Sequence, residues 1–334
     1  MADLTFQVVD AFTRTQFGGN QAAVVIFAPS DPRANSDAYQ LSLAKEFNFS
    51  ETAFLTPLPS SSDSQPHYRL RWFTPVVEFP MCGHATLASA HVLFATRYKG
   101  AALIRFETMS GILTAKREFD GLELDFPADA GVLAELAEGD REKLMGALEQ
   151  MGILELKDSV RGCAKGKIAW VIEVAREVDL KGLKLDVRGF KHLGGYIIFT
   201  QASSDPAYDI VSRVLDPVEE IQEDPVVSQA FRALLVAQNA SAQNLLIKYF
   251  GSLTALARSQ TGSAHCMLAP YWLGTSARSR LQPELILDNS EVDTLRARQA
   301  SARGGNIDVH WVRETGRAKL RGHAVTVMEG VIKT

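Results

Sequence analysis

Two stretches limit what this chain can fold into: "MCGHATLASAHVLFAT", Met81 to Thr96, and "TGSAHCMLAPYWLG", Thr261 to Gly274. Each enters through a small-residue Gly turn, and neither carries an Asp, Glu, Lys or Arg. Apolar residues cover every side at helical spacing. A helix apolar all round belongs inside a core rather than on a surface. β-rich runs flank both: "TFQVVDAF", "QAAVVIF", "ETAFLTPL" and "HYRLRWFTP" before the first, "AWVIEVA" and "GGYIIFTQA" before the second. Such runs with turn residues between them read as strands. Each half therefore reads as strands wrapped around one buried central helix, an α+β arrangement repeated.

The boundary between the halves falls near residue 125. "LIRFETMSGILTAKREFDGLELDFP" reads as strands joined at Ser110-Gly111 and Asp120-Gly121, closing a first unit over residues 1–125. Residues 126–334 form the second, with its final strands free to cross back to the first. "SDAYQLSLAKEFN" has helical spacing, with Ser36 or Asp37 as N-cap. "RGG", Arg303 to Gly305, is a single copy and reads as a turn between strands rather than as an RNA-binding element.

Composition narrows the function classes. A formal net charge of −4 with interspersed signs gives no bulk attraction to nucleic acid or to an anionic membrane. Apolar content of 46% is ordinary for a globular protein, and no apolar run is long enough to cross a bilayer. Three well-separated cysteines, Cys82, Cys163 and Cys266, form neither a disulfide framework nor a CxxC pair. No His/Cys spacing resembles a zinc site. The chemistry expected is thus free of metal and cofactor, and the expected location is the cytoplasm.

A helix start offers backbone N–H groups and the positive end of the dipole, which suit an anion. Gly83 and Ala85 in one copy, and Gly262 and Ala264 in the other, let a ligand approach the backbone closely. Two such starts facing each other would clamp a carboxylate and stabilise a developing enolate.

The motifs "DAFTRTQFGGNQAAVV", "SETAF", "RWFTPVVEFPMCGHATLASAHVL", "EDPV…TGSAHCMLAPYW" and "QASARGG" stand in order from Asp10 to Gly305. Together they resemble the PhzF-type phenazine-biosynthesis-like family, over nearly the whole chain. The resemblance implies a diaminopimelate epimerase-like fold: two pseudo-symmetric domains, each a β-barrel-like sheet around a central helix, with the site in the cleft between. It also implies a catalytic acid/base at Glu51, with His84, Asp224 and Ser263 completing the site. A glutamate can take a proton from one carbon and return it to another when burial raises its pKa toward neutrality. The implied activity is a cofactor-independent isomerisation of a small carboxylate-bearing metabolite. The implied assembly is a homodimer.

Two features cut against a simple transfer. Two-thiol epimerases of this fold carry a cysteine at the start of both central helices. Here the pair is Cys82 and Thr261, and a threonine hydroxyl is too weak an acid to serve. This disfavours an amino-acid racemase or epimerase and makes Cys82 a packing residue. In addition, Val227 to Gln260 separate "EDPV" from "TGSAH", and removing them joins the motif without a gap. The segment reads as a retained intron translated in frame, since Val227 and Gln260 admit codons of common splice borders. A helical lid or an interaction element beside the cleft is the other reading, and a catalytically silent chain, with Asp224 held apart from Ser263, is the rival the segment raises.

Overall fold

The computed structural model describes residues 2–133, 136–150, 154–167, 169–215, 261–281 and 293–333. Asp224 and the 227–260 segment lie outside these residues.

The first half contains β1 (Leu4–Ala11), β2 (Asn20–Ile26), α1 (Asp37–Phe47), β3 (Glu51–Pro57), β4 (His67–Phe73) and β5 (Glu78–Phe79). After them come α2 (Gly83–Thr96), β6 (Leu103–Thr108), β7 (Gly111–Glu118) and β8 (Gly121–Pro127). The second half opens with α3 (Glu138–Gln150), α4 (Leu154–Ser159), β9 (Val160–Lys165), β10 (Ala169–Val174), β11 (Tyr196–Ala202) and β12 (Ile210–Leu215). It continues with α5 (Thr261–Gly274), β13 (Thr294–Gln299), β14 (Asn306–Val312) and β15 (Arg317–Gly322), and β16 (Ala324–Ile332) closes the chain.

The strands form one continuous sheet whose order is a palindrome. From one side it runs β1-β2-β3-β4-β6-β7-β8, and from the other β9-β10-β11-β12-β13-β14-β15. Successive pairs have the same sense in both halves: antiparallel, parallel, antiparallel, parallel, then antiparallel twice. The halves join where β8 pairs antiparallel with β15, Leu124 opposite Leu320. β16 breaks the symmetry by crossing back to pair with β1, Leu4 opposite Ile332. The sheet thus carries a pseudo-twofold repeat that sequence identity does not display.

Each parallel pair demands a crossover. α2 lies in the connection from β4 to β6, and α5 in the connection from β12 to β13. That common place in the topology buries both helices against their own half-sheet, and the two helices touch. Every residue of α2 from Gly83 to Ala90 is buried, as are Val92 to Phe94. Each fully buried Leu or Phe there contributes about 2 kcal/mol of transfer free energy.

The polar groups inside these helices are satisfied locally. Ser89 Oγ donates to Ala85 O at 2.7 Å, and Thr86 Oγ1 donates to Cys82 O. Such back-bonding one turn earlier lets a hydroxyl sit in an apolar core. In α5, Pro270 has no N–H for the carbonyl of Cys266. Asp129 N donates to that carbonyl instead, at 3.1 Å, so the proline costs no buried acceptor. Trp272 Nε1 donates to Thr200 Oγ1 at 3.0 Å, and Tyr271 OH to Glu173 Oε2 at 2.8 Å, fastening α5 to β11 and β10.

Candidate active site

Glu51 is the first residue of β3, and the chain reaches it through a sharp stop. Ser36 caps α1 by accepting from Tyr39 N at 3.3 Å. The helix then ends at Asn48 in the left-handed conformation, φ 53°. Three residues later β3 begins, parallel to β2 with Ala22 opposite Glu51. β4 runs antiparallel to β3 and finishes at Phe73, opposite Thr52. The β5 turn then carries the chain into Cys82 and α2. Glu51 and the start of α2 thereby reach the same end of the sheet from opposite directions.

There the side chains meet. His84 Nε2 lies 3.2 Å from Glu51 Oε2 and 3.3 Å from Ser50 Oγ. His84 Nδ1 lies 3.5 Å from Cys82 Sγ. Glu51 is 2% exposed, and His84 and Cys82 are fully buried. This rules out an exposed strand-edge glutamate. Gly83 and Ala85 flank His84 in the first turn of α2, and Gly83 is helical there, so its value is its missing side chain. Cys82, the N-cap residue, is extended and makes no side-chain cap hydrogen bond.

Burial pushes the His84 pKa down to about 3, so the ring is neutral near pH 7. A neutral ring has one N–H and one acceptor. With Glu51 ionised, the proton belongs on Nε2, where Ser50 Oγ accepts it beside the carboxylate, and Nδ1 accepts from the Cys82 thiol. With Glu51 protonated, the carboxylic acid becomes the donor to Nε2 and the tautomer reverses. This assignment follows from the contacts around the ring. The trio can therefore accept a proton at Glu51 and give it back without creating a buried net cation.

The second half contributes differently. In the palindrome, β3 corresponds to β11, and the place of Glu51 is taken by Tyr196, parallel to Ala169. Tyr196 is buried and packs in the same core cluster as Ala264, Cys266 and Met267 of α5. Among the described residues, no carboxylate in the second half holds the position that Glu51 holds in the first. Gly262 and Ser263 belong to the first turn of α5, and Ala264 is buried behind them. Asp224 lies outside the described residues, so the geometry joins Glu51, His84, Gly83 and Ala85 and leaves the proposed partners of Ser263 aside.

A second polar assembly went unread in the sequence. "RGG" is a turn, joining β13 to β14, and it is also a clasp. Arg303 forms an ion pair with Asp10 at 2.5 Å and donates to Gly18 O and Gly19 O at 2.9 Å each. Gly19 N donates back to Arg303 O at 3.2 Å, and Asn306 N to Phe12 O at 2.9 Å. Asp10 also accepts from Phe17 N at 2.7 Å. Burial is the largest influence on Asp10 and raises its pKa despite the guanidinium. The signal was available only as two separate strings, "DAFTRTQFGGN" and "SARGGN", which the fold presses together.

These features define an α+β protein built from two topologically equivalent half-sheets around buried helices, with a buried acid–imidazole pair in one half. Solved structures share the arrangement. A PhzF-family protein of Enterococcus faecalis aligns over 100% of both chains with TM-score 0.70 and 27% identity. A probable proline racemase of Agrobacterium radiobacter aligns over 99% of this chain and 93% of its own at 12% identity, TM-score 0.52, a likeness of fold alone. The family model described as phenazine biosynthesis-like protein matches residues 9–245, and the chain belongs to that family. Its curated relatives include an uncharacterized isomerase of Halalkalibacterium halodurans, 33% identical over 96% of this chain and 95% of the relative. Another is phenazine biosynthesis-like domain-containing protein 2 of Mus musculus, 32% identical over 97% of each.

Proposed function

We propose that the chain is a cofactor-independent isomerase that moves a proton on a small carboxylate-bearing metabolite, with Glu51 as both acid and base. The carrying observation is the buried contact between Glu51 and His84 at the start of α2. A general acid/base must reach the reacting proton and exist in both protonation states during turnover. A neutral imidazole beside it accommodates either state by changing tautomer. The start of α2, with Gly83 and Ala85, supplies backbone donors and dipole for the substrate carboxylate. Gly262, Ser263 and Ala264 at the start of α5, with Asp224, are proposed to hold its other end.

The correspondence of Glu51 with Tyr196 in the two half-sheets argues for one base and against a two-base racemase, in agreement with Thr261 in the place of a second thiol. Solvent-deuterium incorporation, measured across a panel of small unsaturated and α-substituted carboxylates, tests the reading. Glu51→Gln is expected to lower exchange at least 100-fold with the fold intact. Full exchange in that variant sinks it. The rival, a chain silenced by residues 227–260 whether intronic or a lid, is separated by deleting them. Activity that appears only after deletion supports the rival, and transcripts that all retain those codons remove the intron explanation.

A further inference from the structure

β16 ends the sheet: among the described strands only β1 lies beside it. Its two stretches are guarded differently. The β1–β2 turn covers the start, where Thr13 N donates to His323 O at 3.2 Å and Gln16 Nε2 to Thr326 O at 3.4 Å. The register then slips between Thr326 and Met328, a bulge of the kind that interrupts edge pairing. Beyond it, "MEGVI", Met328 to Ile332, carries a single charge, and Met328 and Val331 are 52% and 50% exposed. Edge strands are ordinarily blunted by several charges, a proline or a covering segment, because an open row of backbone donors and acceptors recruits another strand.

The two faces of this stretch differ. Glu329 and Val331 lie opposite Gln7 and Thr5, and with Val92 and Thr96 of α2 they line a cavity of about 480 Å³. On the other face Gly330 lies against Phe6, where an added Cβ would stand 2.6 Å from the ring.

We propose that this edge is a self-association surface, pairing antiparallel with β16 of a second copy across a twofold axis at Val331. In such a pair, residues equidistant from the axis lie opposite each other on one face. Centring on Val331 sets Glu329 opposite Lys333 of the second copy, twice, and Gly330 opposite Ile332 of the second copy, twice. Opposite charges facing each other across strands favour pairing, and like charges disfavour it. Lys333 is 81% exposed, and an ammonium bonded to Asp3 still has donors for a second acid. Ile332 of the second copy meets the edge where Gly330 has no side chain, beside the Phe6 ring. The two Val331 side chains meet at the mouths of both cavities. Moving the axis to Gly330 sets Glu329 against Val331 of the second copy and loses both charge pairs. The strand is therefore complementary to itself, which selects a second copy of this chain over a foreign strand. The contact stands apart from the isomerase reading, and it closes the edge to other partners.

Sedimentation velocity of the full chain across micromolar concentrations tests the proposal. The contact is short, so a reversible dimer with a micromolar dissociation constant is expected. Val331→Lys sets two ammonium groups against each other and should weaken the dimer at least 10-fold. Glu329→Lys and Lys333→Glu, each placing like charges opposite, should singly do the same. The double variant restores both pairs and should return to within about 3-fold of the native affinity. Thermal melts establish that each variant is folded. Independently of any variant, the amides of Met328 to Ile332 should take up deuterium more slowly as the native chain is concentrated. A native chain that stays monomeric, a dimer unmoved by folded Val331→Lys, single reversals that the double variant does not correct, or amides whose protection ignores concentration overturns the proposal.

Discussion

Glu51 and Tyr196 hold the same place in the two halves of the sheet. Each is the first residue of its strand, and each lies opposite an alanine of the parallel neighbour, Ala22 and Ala169. A phenol is a far weaker acid than a carboxylic acid, so in the proposed reaction these two positions cannot share proton transfer equally. Tyr196→Phe is expected to change exchange by less than 10-fold, against at least 100-fold for Glu51→Gln. Comparable losses in both variants, measured on folded protein, would restore a two-base mechanism.

The Asp10–Arg303 clasp ties the β1–β2 turn to the β13–β14 turn, and Asp10 is 2% exposed. Removing the guanidinium strands a buried carboxylate. Arg303→Ala should destabilise the chain by about 3 kcal/mol in urea unfolding. Adding Asp10→Asn should recover part of that, since the orphaned charge goes with it. Equal stability of wild type and Arg303→Ala would show that the clasp is not a structural tie.

Stability should fall with acid through His84. Its folded value, about 3, lies below the ordinary imidazole value of 6.5. Between the two the unfolded chain binds a proton that the folded chain refuses, so stability is full above pH 6.5 and declines as pH drops toward 3. His91 is shifted the same way by burial and adds to the slope. Melting temperatures across this window should decline less steeply for His84→Gln than for wild type. Identical slopes would contradict a buried neutral ring.

Thiol chemistry should be slow everywhere in the native fold. Burial pushes the Cys266 thiol up to about 12, and burial also raises Cys163 although Arg141 Nη1 lies 3.6 Å from its sulfur. The thiolate is the reacting species, so alkylation near neutral pH should label half-buried Cys163 first and spare Cys266. Mass spectrometry of iodoacetamide-treated protein reads the order. Native labelling of Cys266 ahead of Cys163 is the opposite result.

What the sequence disclosed depended on how local the cause was. The helix α2, Gly83 to Thr96, was readable because a run without charge admits only burial, and the Ser36 cap because capping acts over three residues. Glu51 was legible only through the resemblance, and the fold alone shows that it is buried. Cys82 read as packing because its relation to Glu51 depends on β3 and α2 arriving at one sheet end. The Asp10–Arg303 clasp joins residues separated by most of the chain, and no periodicity announces such a pair. The palindromic strand order is likewise a property of pairing, invisible where the two halves use different residues, as with Glu51 and Tyr196.

β16 has a consequence for how this molecule comes to be made. It is the neighbour of β1, with Lys333 Nζ bonded to Asp3 Oδ2 at 2.7 Å across the chain's two ends. The half-sheet that bears Glu51 therefore waits for a strand synthesised after every other described strand of the sheet. Until it emerges, β1 is an open edge ready to pair with any strand it meets. The half that is translated first is thus closed only after β16 of the second half has emerged, and the Glu51–His84 pair lies in that late-closing half.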